Sequence, residues 1–459
     1  MRLLDTEVKY FDNNSKGISS IINQWGAMIN ILDDCLVDGS EYLPVISIST
    51  TEDILEPESY WLSTIVLESN HGFLKDLSVV EITGCSEQAY NTMHRVQDVF
   101  ADRITIAFDK KIYTEKPQDS LLEDIINIRL APLGYNKVFE GDNKAVYRSG
   151  NLNNNGMYLR VDSSCPVGYD PTWTKFARVS MYSDMDFVDD FLVKDGRFKV
   201  PYYPEEPYRA EIPRGSGPTG YYGESKWYYS TTNVGQMQEI YGSAEPGPFE
   251  FNIIGDDKTF YFLIRLVGTH KYWQKVCYCF GEYSPVLNKP STDTHILCAH
   301  ESNIAADSYQ GWYQNPGFWE SGNVFARTNN SSGKYIVDTS FQELSNNRHV
   351  KVDFMTLLST SMVSGRDTSI SYNPYYTDLN FLEVYLRAFF PRATKLQGSM
   401  RGYHMIGNNL QENPYSFLKE KLVISPKNTS IKFVLMHTLY ANSSNVVDTF
   451  ISFKLNNWS

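Results

Sequence analysis

The sequence predicts a mainly β protein with a minor α component, on three observations. Aromatic residues are abundant, with 32 Tyr, 25 Phe and 8 Trp, and aromatic side chains suit pleated, half-buried surfaces. Short strand-like runs recur along the chain between Asn-, Ser- and Gly-bearing breakers, the composition of polar turns. Sustained helical spacing occurs in one place only, near the beginning.

Taken in order, residues 1–16 are polar and read as an arm. Ile18, Ile21, Ile22, Trp25, Ile29, Leu32 and Leu36 then recur at helical spacing, which predicts an amphipathic helix over Ile18–Leu36. Ser15 is a fitting N-cap and Asp38-Gly39 a fitting stop. The stripe has two fates open to it, the chain's own sheet or a neighbouring subunit. Residues 1–42 thus form an N-terminal arm and amphipathic helix. Residues 43–115 carry short β runs at Pro44–Ile48, Leu62–Leu67, Val79–Ile82, His94–Val96 and Ile104–Phe108, the spacing of a small β barrel or sandwich domain. Gln118 to Leu130 reads as a short helix or a linker. Residues 116–459 form a large β-rich, sandwich-like unit, with a further division near 300–350 left open. Its runs include Lys137–Phe139, Lys144–Arg148, Met157–Val161, Phe176–Met181, Thr259–Val267, Val276–Phe280, Thr294–Ala299, Leu422–Ile424, Ile431–Met436 and Thr449–Leu455. Residues 195–250, rich in Pro, Gly and Tyr, read as long ordered loops.

Composition bounds the function. A chain of 459 residues, 42% hydrophobic and 21% charged, is long enough for about two or three domains with a substantial core. The net charge of −13 without a Lys/Arg run argues against direct nucleic-acid binding, which needs a basic field. Met1-Arg2-Leu3-Leu4-Asp5 turns acidic before any apolar region develops, so no secretory signal is expected. The strongest apolar run, Phe260–Val267, is broken by Arg265 and far too short for membrane insertion. Folding in a cytoplasm is expected, with Cys35, Cys85, Cys165, Cys277, Cys279 and Cys298 as free thiols.

Each candidate for chemistry has a plainer reading that fits better. Gly215-Ser216-Gly217-Pro218-Thr219-Gly220 has the glycine spacing of a dinucleotide loop. It lacks the strand before and the helix after that would present N–H groups to a pyrophosphate. Cys277, Cys279, His295, Cys298 and His300 form the most zinc-like set. Cys277-x-Cys279 is strand alternation, however, and His295 and Cys298 would face opposite ways on a strand; core thiols are expected. Asp184, Asp186, Asp189 and Asp190 form an acidic turn without the glycine and distal glutamate of a calcium loop. His71, between Asn70 and Gly72, reads as a packed turn histidine. No G-x-S-x-G, no G-x-x-x-x-G-K-S/T and no H-E-x-x-H occurs. No catalytic, cofactor-binding or metal-binding residue is therefore assigned, and no cofactor is expected.

A set of short motifs resembles the structural proteins of tailed-phage virions. Ala131-Pro132-Leu133-Gly134-Tyr135-Asn136-Lys137-Val138-Phe139 is similar to an Ala-Pro-Leu-Gly-aromatic-x-Lys-x-Phe stretch of that family. Gly141–Arg148, Tyr158–Asp162 and Ala177-Arg178-Val179 continue the likeness. Ser183-Asp184-Met185-Asp186 matches its acidic turn, with Tyr182 in place of a methionine. Asp257-Lys258-Thr259-Phe260-Tyr261 and Phe280-Gly281-Glu282 resemble a strand and a turn of the same proteins, and Leu32–Gly39 resembles their Leu-Asp-x-Cys-Leu-Val-x-Gly opening. Residues 62–108 look like the small β domain named after ubiquitin-activating enzymes, a structural module in phages. The likeness covers roughly residues 20–300 and departs at Thr51–Glu58 and Pro201–Ser225.

This resemblance implies a non-enzymatic virion protein, assembled in the host cytoplasm, of the tail, baseplate or head–tail junction. Its partners would be other virion proteins and further copies of itself in a symmetric homo-oligomer, through Tyr-rich contacts. The alternatives are a receptor- or glycan-binding module using Trp312, Tyr313 and Trp319, or a polysaccharide depolymerase acting through paired carboxylates.

Overall fold

The computed structural model describes residues 3–55, 58–68, 71–113, 125–151, 156–166, 171–172, 174, 176–190, 199–200, 225–229, 247–265, 275–285 and 294–301. In the last third it describes the segments 322–326, 328–329, 335–336, 350–355, 381–390, 393–406, 423–424, 433–441, 446–456 and 458. The protein is mainly β, with a small barrel, a larger set of packed sheets and little helix.

The barrel is closed by six antiparallel strands in the spatial order Leu43–Leu55, Glu58–Leu67, Arg103–Phe108, Met93–Val99, Val79–Thr83 and Asn127–Leu130. The last strand lies where a short helix or linker was expected. Ile126, Ile128 and Leu130 point inward while Asn127 and Arg129 point outward, and this period of two, scored against two neighbours, makes the segment a strand. It pairs with Val79–Thr83 on one side and with Leu43-Pro44 on the other, which removes the sheet edge. Register shifts at Val45/Ser47 and Val96/Asp98 supply the bends that closure requires. Val45, Ile48, Ile65, Val80, Ile82, Val96, Ile104 and Ile106 fill the interior.

The helix is shorter than the apolar stripe suggests. It spans Ala27–Leu32 and continues as a π-helical turn over Asp33–Asp38. Gly17, Asn23 and Gly26 take φ of 76°, 63° and 86°, and left-handed residues interrupt an α-helix. Ile21-Ile22 instead pairs with Gly247-Pro248. Ser15 closes a tight turn on Asp12 rather than capping a helix. The stripe nevertheless serves the chain's own core, where Ile18, Ile22, Ile29, Leu32 and Leu36 are buried.

The larger unit is built around Thr259–Arg265, a strand buried on both faces. Phe260, Phe262 and Ile264 pack with Trp227, Tyr278, Phe280, Leu159 and Val179 in one core. Tyr261 and Leu263 pack with Cys277, Cys279, Cys298, Tyr403, Val434 and Phe453 in a second. That double burial is why the segment reads as a near-continuous apolar run. The strand lies between Phe251–Gly255 and Lys275–Glu282, followed by His295–Glu301. The sheet then returns through Ser225–Tyr228, Phe176–Tyr182, Tyr158–Asp162, Lys144–Ser149 and Tyr135–Gly141. Two of these strands, Ser225–Tyr228 and Phe251–Gly255, were not legible in sequence, and the first falls within the stretch expected as loop. Trp227 sits at the centre of the first core, stacked on Tyr278 at 5.7 Å.

Most of the large buried tyrosines belong to the interior. Tyr10, Tyr90, Tyr147, Tyr229, Tyr261, Tyr278, Tyr283 and Tyr403 are all under 2% exposed. For these residues the expected role as inter-subunit contact surface does not hold, because their rings are already covered by the chain itself.

Candidate functional site

The polar arm of the sequence is a structural strap. Lys9–Asp12 is a strand paired with Phe251–Gly255, and Val8, Tyr10 and Phe11 are buried. The barrel holds the arm through Arg95, which is 2% exposed. Its guanidinium donates to five backbone carbonyls: Asp5 at 2.8 Å, Val8 at 2.6 Å, Asp76 at 3.3 Å, Leu77 at 3.2 Å and Leu455 at 3.3 Å. No carboxylate stands among these acceptors, so burial pulls the Arg95 pKa down to about 10. Gln97 adds a bond from its amide to the Leu3 carbonyl at 2.7 Å. A second clamp stands opposite. Arg401 grips Asp256 with Nη1 at 3.1 Å and Nη2 at 2.7 Å, and its Nε donates to the Trp458 carbonyl at 3.0 Å. Glu7 lies 3.7 Å from the same guanidinium. Burial and the neighbouring Asp256 and Asp5 push the Glu7 carboxyl above its ordinary range.

Beside the arm opens a cleft of about 670 Å³, lined by the arm (Asp5, Thr6, Glu7, Lys9), the barrel (Glu81, Met93), the connector Ala131–Gly134, and Gly150, Asn151 and Asp257. Lys9 is 6% exposed, and its ammonium has one long hydrogen bond, to the Leu133 carbonyl at 3.4 Å. Burial lowers the Lys9 pKa to about 8, against the opposing pull of Asp257 and Asp256. Sequence reading passed over this site. Its residues come from six separated segments, and no motif spacing joins them.

The residues singled out in sequence are placed differently. Cys277, Cys279 and Cys298 converge in the second core, with Cys279 opposite Cys298 in register. His295, on the other face of its strand, lies 5.9 Å from the Phe280 ring. Burial pushes the Cys277 and Cys279 thiols well up, which keeps them protonated. Among the described residues no group of three or more His, Cys, Asp or Glu is arranged to hold a metal ion.

The acidic turn is engaged internally. Asp189 accepts from Lys144 at 2.8 Å and from Arg160 at 2.7 Å, and Asp190 accepts the Asp186 N–H at 2.9 Å. Beneath it, fully buried Asp162 pairs with Arg178 at 2.6 Å and Arg160 at 3.2 Å. Burial acts to raise the Asp162 pKa, but the two guanidiniums and Ser164 outweigh it and hold the carboxyl below its ordinary range. His71 is buried, its Nδ1 accepting from the Phe73 N–H at 3.1 Å and its Nε2 donating to the Phe100 carbonyl at 2.8 Å. The glycine-rich segment 215–220 and Trp312, Tyr313 and Trp319 lie outside the described residues, and the side chain of His300 does too.

Fold and site together define a β-barrel and β-sandwich protein tied by an N-terminal strap, with a mixed-charge cleft beside that strap. No helix among the described residues is long and apolar enough to cross a membrane. No family model matches the chain, and no curated protein matches it. Among solved structures it is similar to the phage phi92 endosialidase at 8% identity, covering 90% of this chain and 58% of that one, with a TM-score of 0.13. The chain therefore spans little more than half the length of that protein, and a likeness so slight carries no functional argument.

Proposed function

We infer that this chain is a non-enzymatic structural component of a tailed-phage particle, of the tail, baseplate or head–tail junction, acting through protein–protein assembly. One observation supports the reading: the motifs that resemble phage structural proteins meet one another in pairs and hold backbone. The carbonyls of Cys35 and Leu36 accept the N–H groups of Leu133 and Gly134 at 2.9 Å and 3.0 Å, which joins the Leu32–Gly39 motif to the Ala-Pro-Leu-Gly motif. Thr259 Oγ1 donates to the Glu282 carbonyl at 2.7 Å, and the Glu282 N–H returns to the Lys258 carbonyl at 3.1 Å, joining the next two. Asp189, three residues beyond the Ser183–Asp186 motif, is bound by Lys144 and Arg160, which belong to the motif strands beside it. Residues engaged in this way have architecture as their work, and a barrel without edges carried on a rigid sandwich suits a building block.

The test is quantitative mass spectrometry of purified virions from the phage that encodes the chain. The reading expects the intact protein at a fixed ratio to the portal, as symmetric assemblies require. Its absence from virions, or hydrolysis of host-surface polysaccharide by the purified protein, would overturn it.

A further inference from the structure

On the outer face of the barrel Tyr42, Ile46, Met93 and Ile125 are exposed. On the ladder joining Leu43–Leu55 to Asn127–Leu130, Leu43 faces Ile128 and Pro44 faces Asn127. The same register sets Ile46 beside Ile125, and these two are 57% and 64% exposed. Two pleats along, past Pro44 and Asn127, Tyr42 stands under the Arg129 guanidinium at 4.4 Å. That row runs on through Glu81, opposite Arg129, to Met93, opposite Glu81. Tyr42 and Met93 are 45% and 39% exposed. Neighbouring strands lie about 4.8 Å apart, so this four-strand row is about 14 Å wide. Its far end, Glu81 and Met93, forms the barrel wall of the cleft. That row therefore adjoins the cleft, and Ile46 and Ile125 lie two pleats from it on the same face of the barrel.

The charge on that surface indicates what covers it. Four carboxylates, Asp5, Glu7, Glu81 and Asp257, line the cleft against one ammonium, Lys9. Arg129 pairs with Glu81 at 2.7 Å and Arg401 lies 3.7 Å from Glu7. Asp5 and Asp257 take part in no ion pair among the described residues. A second copy of a chain with net charge −13 would bring further negative charge to this face. A basic segment of a different protein complements it.

We propose that the Ile46–Ile125 face and the adjoining cleft dock an extended segment of a partner protein that carries Arg or Lys at one end and aliphatic residues at the other. The basic side chains enter the cleft toward Asp257 and Asp5, and the aliphatic ones lie on Ile46 and Ile125. This rests on the assembly reading above and supplies the chemistry of one contact in it. Lys9 is the one group in the cleft that opposes the ligand.

Binding is measured by fluorescence anisotropy with a short blocked peptide of arginines followed by isoleucines, and with a counterpart carrying glutamates in place of the arginines as control. The basic peptide should bind and the acidic one should not. Asp5→Asn with Asp257→Asn should weaken binding about tenfold, as should Ile46→Ser with Ile125→Ser. Lys9→Met should tighten binding several-fold by removing the opposing charge. All the substituted side chains except Lys9 lie at the surface or the cleft wall, and circular dichroism of each variant verifies its fold. No binding of the basic peptide, equal binding of the acidic one, or indifference to both double substitutions would overturn the proposal. Self-association that Ile46→Ser abolishes would assign the face to a second copy and overturn it equally. Virions separate this inference from the assembly reading. Loss of the wild-type chain from particles sinks that reading, whereas a wild-type chain present in particles with a peptide that fails sinks only the docking contact.

Discussion

Replacing Lys9 by methionine should stabilise the protein at neutral pH, against the usual direction for a buried side chain. Its pKa falls from 10.5 to about 8 on folding. At about 1.4 kcal/mol for each tenfold change in proton affinity, the buried ammonium costs the folded state about 3 kcal/mol at pH 7. Methionine keeps most of the stem's volume but loses the bond to the Leu133 carbonyl, which offsets about 1–2 kcal/mol. A net gain of about 1–2 kcal/mol remains. The sign with pH follows from proton counts. Between pH 8 and 10.5 the unfolded chain binds the Lys9 proton and the folded chain does not, so wild-type stability rises across that window. The advantage of Lys9→Met should therefore shrink as pH rises from 8, vanish between about pH 9 and 10, and become a deficit of about 1–2 kcal/mol by pH 10.5, where only the lost hydrogen bond remains. Urea unfolding followed by tryptophan fluorescence at pH 7, 9 and 10.5 measures it. A variant less stable at pH 7, with the same deficit at every pH, would refute the reasoning, since it would show that the ammonium is well accommodated.

Three further outcomes follow from the same geometry. Arg95→Met removes the donors to five carbonyls and should destabilise by about 3–5 kcal/mol. Hydrogen exchange should accelerate selectively over Leu3–Asp12; unchanged protection there would mean the arm does not depend on this clamp. Gly281→Ala should cost more than about 3 kcal/mol, because φ is +139° and a Cβ would stand 2.2 Å from the Lys258 carbonyl oxygen; a melting temperature within a degree or two of wild type would contradict this. Alkylation of the native protein with iodoacetamide should label Cys165 first, as the one partly exposed cysteine. Cys277 and Cys279 should react only on unfolding, and their early labelling, read by peptide mass spectrometry, would show that the second core opens.

The local pattern determined what local physics controls. Alternation and turn residues marked the barrel strands and the paired runs around Phe260. Strand alternation alone predicted that His295 and Cys298 face opposite ways, as they do. The apolar stripe of Ile18–Leu36 marked five buried residues, missed on Ile21 and Trp25, and gave the wrong conformation, because apolar spacing does not register the left-handed backbone at Gly17, Asn23 and Gly26. Composition showed that tyrosine mattered, but burial is a property of the assembled sheets, and it put Tyr261, Tyr278 and Tyr403 in cores rather than on contact surfaces.

Other features were decided only by tertiary structure. Asn127–Leu130 has too short an apolar pattern to declare itself, and it became a strand because the barrel offered two edges to pair with. Arg95 reads as an ordinary charge in a strand until the arm, the Asp76-Leu77 loop and Leu455 bring their carbonyls around it. Lys9 looks like a solvated lysine of a polar arm, and its displaced pKa comes from desolvation by segments as distant as Leu133 and Asp257. These three depend on long-range encounter, and long-range encounter leaves no period in a sequence.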